Sequence, residues 1–425
     1  MRKNYVLKGN ICYCIESSRI EISDGAYLVC EDGKSAGIFP SLPEQYQDFP
    51  ITDFGECLII PGLVDLHTHA PQYAFRGLGM DMPLMEWLET HTFPEESKYG
   101  DMEYAKKAYQ IFADTMKKGA TTRACIFATI HSEGTDCLMS LMEETGLHTM
   151  VGRVNMDRNA PVNLCEPSPE QALADTEEWI IKSRTQYRNT EPILTPRFIP
   201  TCSDMLMEGL GMLQQKYHMP VQSHLSENDS EIAFVQELCP WSRCYGDAYD
   251  RFGLFGGADC RTVMAHCVHS GDDEIALMKK NGVFIAHCAQ SNTNLMSGVA
   301  PVRRYLEEGI PMGLGSDVAG GCTTDMFRAM VDSIHASNLR YRLFDDSLKP
   351  LTPAEAFYLA TKGGGAFFGQ VGSFEPGYEM DALVLDDRNL PHPQELTTLE
   401  RLERMIYLAD ERNIVHKYVA GRKLF

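Results

Sequence analysis

Long apolar runs are missing from this 425-residue chain. No stretch approaches the roughly 20 apolar residues needed to span a bilayer. Basic residues are scarce beside acidic ones, 38 Lys and Arg against 59 Asp and Glu, for a formal net charge of −21. Binding to a polyanion such as tRNA or DNA depends on Lys and Arg neutralising phosphates, and docking on anionic lipid asks for the same. Nucleic acid and membrane are therefore not expected as partners, and a neutral small molecule is. The 14 cysteines contain no Cys-x-x-Cys pair. Several sit inside apolar runs (Cys125, Cys267, Cys288), where a thiol behaves as a small hydrophobe. The opening segment from Met1 to Asn10 has basic residues but no long apolar core, so it does not read as a signal peptide. A reduced, cytoplasmic setting is the expectation. Cys12 and Cys14 read as alternate residues of an edge strand rather than as a metal pair. No low-complexity tract or repeat divides the chain.

What is present is a regular alternation. Apolar runs at 58–66, 120–130, 148–156, 192–198, 219–225, 262–268, 282–288 and 310–317 are separated by amphipathic stretches long enough for helices, such as 102–118, 169–184, 203–217 and 272–280. Strands alternating with helices imply a parallel sheet. Eight of them over this length predict an α/β fold, a closed (β/α)8 barrel of the TIM type over 58–370. An open doubly wound sheet is the alternative, but no Gly-x-Gly-x-x-Gly follows any of these strands. Residues 1–57 and 371–425 contain short strand-like pieces broken by turns, among them Glu31-Asp32-Gly33-Lys34 and Ala420-Gly421-Arg422. Neither end is large enough for a core of its own. The two are expected to combine into one small β-sandwich beside the barrel. Residues 70–100 follow the first barrel strand, carry Gln72, Tyr73, Phe75, Trp87 and Phe93, and are expected to form a pocket wall with a short helix over 82–90.

Chemistry concentrates at the ends of the apolar runs. His67 and His69 end the first, and i and i+2 on a strand share a face. His224 ends the fifth, His266 the sixth and Asp317 the eighth. In a parallel barrel all strand C-termini open on one side, so these residues are expected to converge. Three imidazoles and one carboxylate make a suitable shell for a divalent metal such as zinc or iron. Such a metal lowers the pKa of a bound water from about 15.7 toward roughly 7. Glu227, three residues after His224, is placed to carry protons. The fourth run, 192–200, contains no Lys that could bridge two cations, so one metal is expected. His131-Ser132-Glu133 resembles the His-x-Glu of cytidine-deaminase zinc sites, but the Pro-Cys-x-x-Cys that completes them is absent. His131 is accordingly expected to be structural or a neighbour of the site.

Pro61-Gly62-Leu63-Val64-Asp65-Leu66-His67-Thr68-His69 resembles the opening motif of the amidohydrolase superfamily. Pro83-Leu84-Met85-Glu86-Trp87-Leu88, Thr92-Phe93-Pro94-Glu95, Phe127-Ala128-Thr129-Ile130-His131, Thr195-Pro196-Arg197-Phe198, Gln222-Ser223-His224-Leu225-Ser226-Glu227-Asn228 and Gly313-Leu314-Gly315-Ser316-Asp317-Val318-Ala319-Gly320-Gly321 are similar, within it, to the guanine deaminase family. The likeness runs from about residue 55 to the C-terminus. It implies His67, His69, His224 and Asp317 as zinc ligands and Glu227 as proton shuttle. It implies His266 and Asp317 as residues that hold the attacking hydroxide, and Gln72, Arg197 and Phe198 as contacts to guanine. It also implies a homodimer. The reaction it implies is hydrolysis of guanine to xanthine and ammonia by a metal-bound hydroxide attacking C2. Ala289 stands where relatives often carry Pro, so His287 and Asn292 are left outside the expected site. Pro71 is a further departure. The alternatives are another single-metal aminohydrolase, acting on a pterin, triazine or oxidised purine, and a non-catalytic metal-bound scaffold, for which Glu227 would have no use.

Overall fold

The computed structural model describes residues 4–425; Met1, Arg2 and Lys3 of the opening segment lie outside the described residues. Each of the eight apolar runs contains strand. Leu63–His69, Thr121–Phe127, His148–Gly152 and Thr190–Pro192 form one parallel four-stranded sheet in that order. Val221–Leu225, Thr262–His266, Phe284–His287 and Met312–Leu314 form a second. Val154–Asn155 pairs with Thr195–Pro196 as a short two-stranded extension. Nearly all of these residues are buried, as strands covered on both faces must be.

The barrel is of the TIM type, but the expected closed ladder is not seen. Its two four-stranded sheets meet at seams held by isolated bonds. At one seam Leu194 bridges Val221, with Gln222 N–H donating to Leu194 O at 2.9 Å. At the other, Asp317 N–H donates to His67 O at 2.8 Å and His69 N–H to Val318 O at 3.1 Å. Regular pairing stops at the first because Thr195–Pro196 pair with Val154–Asn155 instead, and at the second because the chain bends away. The eighth strand ends at Leu314, and Asp317 already has the left-handed φ of 45°.

The intervening helices follow their sequence signals. Met102–Lys118 starts where the Asp101 side chain accepts from the Glu103 and Tyr104 N–H groups. It buries Ala105, Tyr109, Phe112, Ala113 and Met116, one stripe at helical spacing. Burying a side chain such as Phe112 contributes roughly 1.5–3 kcal/mol. Pro169–Gln186, Asp204–Tyr217 and Asp272–Asn281 fill the other long gaps. Residues 70–100 are more helical than expected, a chain of short turns at Ala70–Phe75, Leu84–Trp87, Leu88–Thr92, Phe93–Glu96 and Ser97–Gly100.

The chain ends combine as expected, but as one continuous seven-stranded sheet that curls until its two edges meet, not as two separately hydrogen-bonded sheets. Its order is Arg422–Lys423, Ile414–Val419, Ala382–Leu385, Ile51–Pro61, Tyr5–Cys14, Ile20–Glu31 and Lys34–Phe39. Cys12 and Cys14 are thus on an interior strand, not an edge. The first apolar run is divided between the two sheets. Leu58 to Pro61 pair with Ala382–Leu385, while Leu63 onward enters the barrel. Gly62 is the crossing point, where a Cβ would lie 2.2 Å from the Thr122 hydroxyl. The Asp32-Gly33 and Ala420-Gly421 turns both have positive φ at their two central residues, as tight hairpins require. A Cβ on Gly421 would approach Gly33 Cα to 2.3 Å, so these two turns pack directly on each other. No helix among the described residues is long and apolar enough to cross a membrane.

Candidate active site

The two histidines of Leu63–His69 leave the same face of the strand at its C-terminal end. His67 Nε2 lies 3.1 Å from His69 Nε2, and His69 Nε2 lies 3.3 Å from His224 Nε2. Asp317 Oδ1 stands 3.1 Å from His67 Nε2 and 3.4 Å from His69 Nε2. His266 faces carboxylates, with Nε2 at 3.4 Å from Glu227 Oε2 and 3.7 Å from Asp317 Oδ2. All six side chains are buried. Residues from four separated strands are thereby brought within reach of one another.

The donor set is suited to a divalent cation. Burial, reinforced by the surrounding imidazoles, holds His69 and His224 well below the ordinary histidine range. Their rings are neutral, and a single N–H on His69 Nε2 could bond only one of the two neighbouring nitrogens, whereas one cation among them would engage all three lone pairs. His224 Nδ1–H donates to Arg197 O at 2.7 Å, which leaves the Nε2 lone pair facing His69. Burial pushes the Asp317 carboxyl up, but His67, His266 and His69 together hold it well below its usual range, as an anion. The ligand atoms of His67, His69 and His224, and those of His67, His266 and Asp317, form two compact groups sharing His67. The rings of His67, His69 and His224 pack within 5.0 Å of the Phe127 ring, an apolar wall that sequence reading did not assign.

A cavity opens beside this cluster. Besides His69 and His224 its lining includes Gln72, Arg197, Phe198, Glu227, His266 and Asp317, together with Trp87 and Leu88 of the 70–100 wall; of the residues expected at the site only His67 is missing. Burial, with Asp317 close by, pushes Glu227 up, so this carboxyl keeps a proton more readily than an exposed one. Ser297 Oγ donates to Glu227 Oε1 at 3.2 Å. The Phe198 ring stands 6.3 Å from that of His224.

Four residues that sequence reading did not assign support this arrangement. Asp65 accepts from Ser316 N at 2.9 Å, Ser316 Oγ at 2.5 Å and His67 N at 3.2 Å, tying the first strand to the loop that carries Asp317. Asn292 Oδ1 is 2.9 Å from His266 Nδ1 and accepts its proton, turning Nε2 toward Glu227 and Asp317. Glu231 accepts the Glu227 N–H at 3.1 Å and the Tyr245 hydroxyl at 2.8 Å. Glu231 was within reach of sequence reading, since Asn228-x-x-Glu231 spells a capping box, present here at the start of Asp229–Leu238. Glu96, 1% exposed, receives Gln72 Nε2 at 2.9 Å and an Arg197 N–H at 2.5 Å. His266 and Asp317 have φ of 74° and 45°, a left-handed backbone that is sparsely used outside glycine and tends to cluster at functional sites. His131 belongs to neither ligand group, and His287 is buried with both ring nitrogens unpartnered.

A profile of the amidohydrolase family matches residues 58–424. Guanine deaminase of Dictyostelium discoideum is 35% identical, covering 100% of this chain and 99% of its own. Guanine deaminase of Mus musculus is 36% identical over 86% of this chain and 82% of its own. A crystal structure of guanine deaminase from C. acetobutylicum with bound guanine in the active site superposes with a TM-score of 0.96 at 47% identity, covering 99% of this chain and 100% of that one.

Proposed function

The chain belongs to the amidohydrolase family, and from that premise we propose that it is a guanine deaminase, hydrolysing guanine to xanthine and ammonia. The observation that carries the reading is the cavity in which an imidazole–carboxylate cluster, a buried Glu227 and the Arg197–Gln72 pair face one another. Relatives of 35–47% identity that bear this activity support it.

His67, His69, His224 and Asp317 would hold one divalent metal, zinc. When bound it supplies a Lewis acid and brings the pKa of a water from about 15.7 to roughly 7. Glu227 takes a proton from the attacking water and delivers it to ring N3, a role suited to a carboxyl whose affinity for the proton is raised by burial. Asp317 and His266 orient that water toward C2. The water oxygen bonds to C2, its remaining proton passes through Glu227 to the amino group, the C2–NH2 bond breaks, and ammonia leaves as C2=O of xanthine forms. Arg197 donates to O6, Gln72 reads the amide edge, and Phe198 packs beside the ring. The barrel, expected over 58–370 but entered only at Leu63, forms the hydrolase unit, and the two chain ends form a supporting unit beside it. A cytoplasmic homodimer completes the proposal.

Incubation with guanine, following xanthine and ammonia alongside metal analysis, tests it. Stoichiometric xanthine and ammonia with one zinc per chain is the expected result. Ammonia released only from a pterin, triazine or oxidised purine would replace guanine as substrate. A metal-free protein that added zinc does not activate would overturn the reading.

A further inference from the structure

Glu96 lies on the short helix Phe93–Glu96, in the wall that follows the first barrel strand. It is buried, yet it donates to nothing and coordinates nothing in the ligand cluster. Its two oxygens are divided between two different residues of the cavity wall. Oε1 accepts from Gln72 Nε2 and Oε2 accepts from the Arg197 guanidinium. On the other side, Gln72 Oε1 accepts the backbone N–H of Ala319 at 3.1 Å. A carboxylate can only accept and a backbone N–H can only donate. The Gln72 amide is therefore pinned at both ends in one orientation, with NH2 toward Glu96 and C=O toward Ala319. One N–H of Gln72 and the remaining N–H groups of the Arg197 fork are left for a ligand.

We propose that Glu96 is a positioning residue for substrate specificity, which locks Gln72 and Arg197 into a wall of hydrogen-bond donors matched to a 6-oxopurine edge. The proposal rests on the reading of the site as a guanine deaminase. A carbonyl acceptor at C6, the O6 of the amide edge, complements such a wall. A 6-amino group would set donor against donor. The buried Arg197–Glu96 pair is also neutral in sum, which suits a neutral base better than an anion. The neighbouring Glu95 has no part in this. It bonds Lys98 Nζ at 2.6 Å and the Tyr104 hydroxyl.

Glu96→Gln separates the positioning role from mere packing. An amide has one acceptor oxygen and one donor nitrogen, so it cannot accept from both Gln72 and Arg197 through separate atoms. Gln72 is then held only through its carbonyl by the Ala319 N–H, and its NH2 and the Arg197 fork compete for the single acceptor oxygen, so the donor wall loses its fixed geometry. The comparison substrate is 2,6-diaminopurine, which keeps the 2-amino leaving group and replaces O6 by NH2. Loss of ammonia from its C2 on addition of water gives 6-amino-2-oxopurine. The expected result is a KM for guanine raised at least about tenfold and a preference for guanine over 2,6-diaminopurine reduced by at least about tenfold, with metal content unchanged. Glu96→Asp, which keeps two acceptor oxygens, should retain more of that preference than Glu96→Gln. A folded, metal-loaded Glu96→Gln with wild-type KM and preference would overturn the proposal. So would parallel losses on both substrates together with loss of metal in both variants, which would make Glu96 a packing residue. Wild-type protein that releases no ammonia from guanine would instead overturn the deaminase reading, and this proposal with it.

Discussion

At the N-terminal ends of the barrel strands, Arg123 meets Asp381 through two bonds of 2.6 and 3.1 Å, joining the second barrel strand to the seven-stranded sheet. Nearby, the buried Lys417 ammonium donates to the carbonyls of Met116, Lys117 and Gly119 at 2.8–3.1 Å, where the Met102–Lys118 helix leaves its last acceptors free. Both buried cations there, Arg123 and Lys417, meet protein groups of opposite character. At the C-terminal ends, like groups crowd together instead: three imidazole nitrogens within 3.1–3.3 Å contacts, and Glu227 raised by burial beside Asp317. Buried charge at one end of the barrel holds two sheets together. At the other it is arranged to be completed by something that is not protein. The contrast matches the division of labour in barrels of this type, in which stability resides below and chemistry above.

Stripping the metal should separate the two ends most sharply. Dialysis against a chelator is expected to abolish guanine turnover, with recovery on added zinc, while the far-ultraviolet circular dichroism of the barrel is preserved. Turnover surviving in protein shown to be metal-free would mean that the upper cluster is self-sufficient. Glu227→Gln is expected to bind zinc normally and to lose about 10²–10⁴-fold in kcat, the usual worth of a positioned proton carrier. Near-normal kcat would remove Glu227 from proton transfer.

The lower end should respond in stability rather than in chemistry. Arg123→Met leaves Asp381 buried without its cation, and a cost of about 3–5 kcal/mol in unfolding free energy is expected. The folded fraction should keep wild-type metal content and KM. A change in KM larger than the change in stability explains would show that the ends are coupled.

The smallest effect concerns pH. Burial, opposed by the Phe327 and Arg328 backbone and reinforced by Asp410 and Glu411, pushes the Asp325 carboxyl up to about 6. Between about pH 4 and 6 the folded chain then holds a proton that the unfolded chain has released. The stability this confers is present at low pH and lost as pH rises through 6. The slope should be at most about 1.4 kcal/mol per pH unit. Denaturant titrations of wild type and Asp325→Asn across this window should differ by that slope, and parallel curves would refute it.

The succession of strands and helices was legible because burial on both faces forces apolar runs into parallel strands, and helical stripes fill the gaps. The convergence of the imidazole–carboxylate cluster was legible for the same reason, since His67, His69, His224, His266 and Asp317 each end such a run. The division of the first run was not read from the sequence, because Leu58 to Val64 is apolar throughout and only the Pro61-Gly62 pair marks a change of sheet. Glu95 and Glu96 could not be told apart either. They are adjacent and identical, and only the sense of a one-turn helix sends one to Lys98 and the other to Arg197.

By itself the sequence determined periodicity: two imidazoles on one face of a strand, and chemistry at the ends of successive strands. Local spacing fixes which way a side chain leaves the backbone, and that much needs no partner. The tertiary structure decided distance. It brought His69 and His224, 155 residues apart, to 3.3 Å, and it placed Glu96 between Gln72 and Arg197. Such contacts depend on how strands from distant parts of the chain close around a common axis, and no local pattern encodes that closure.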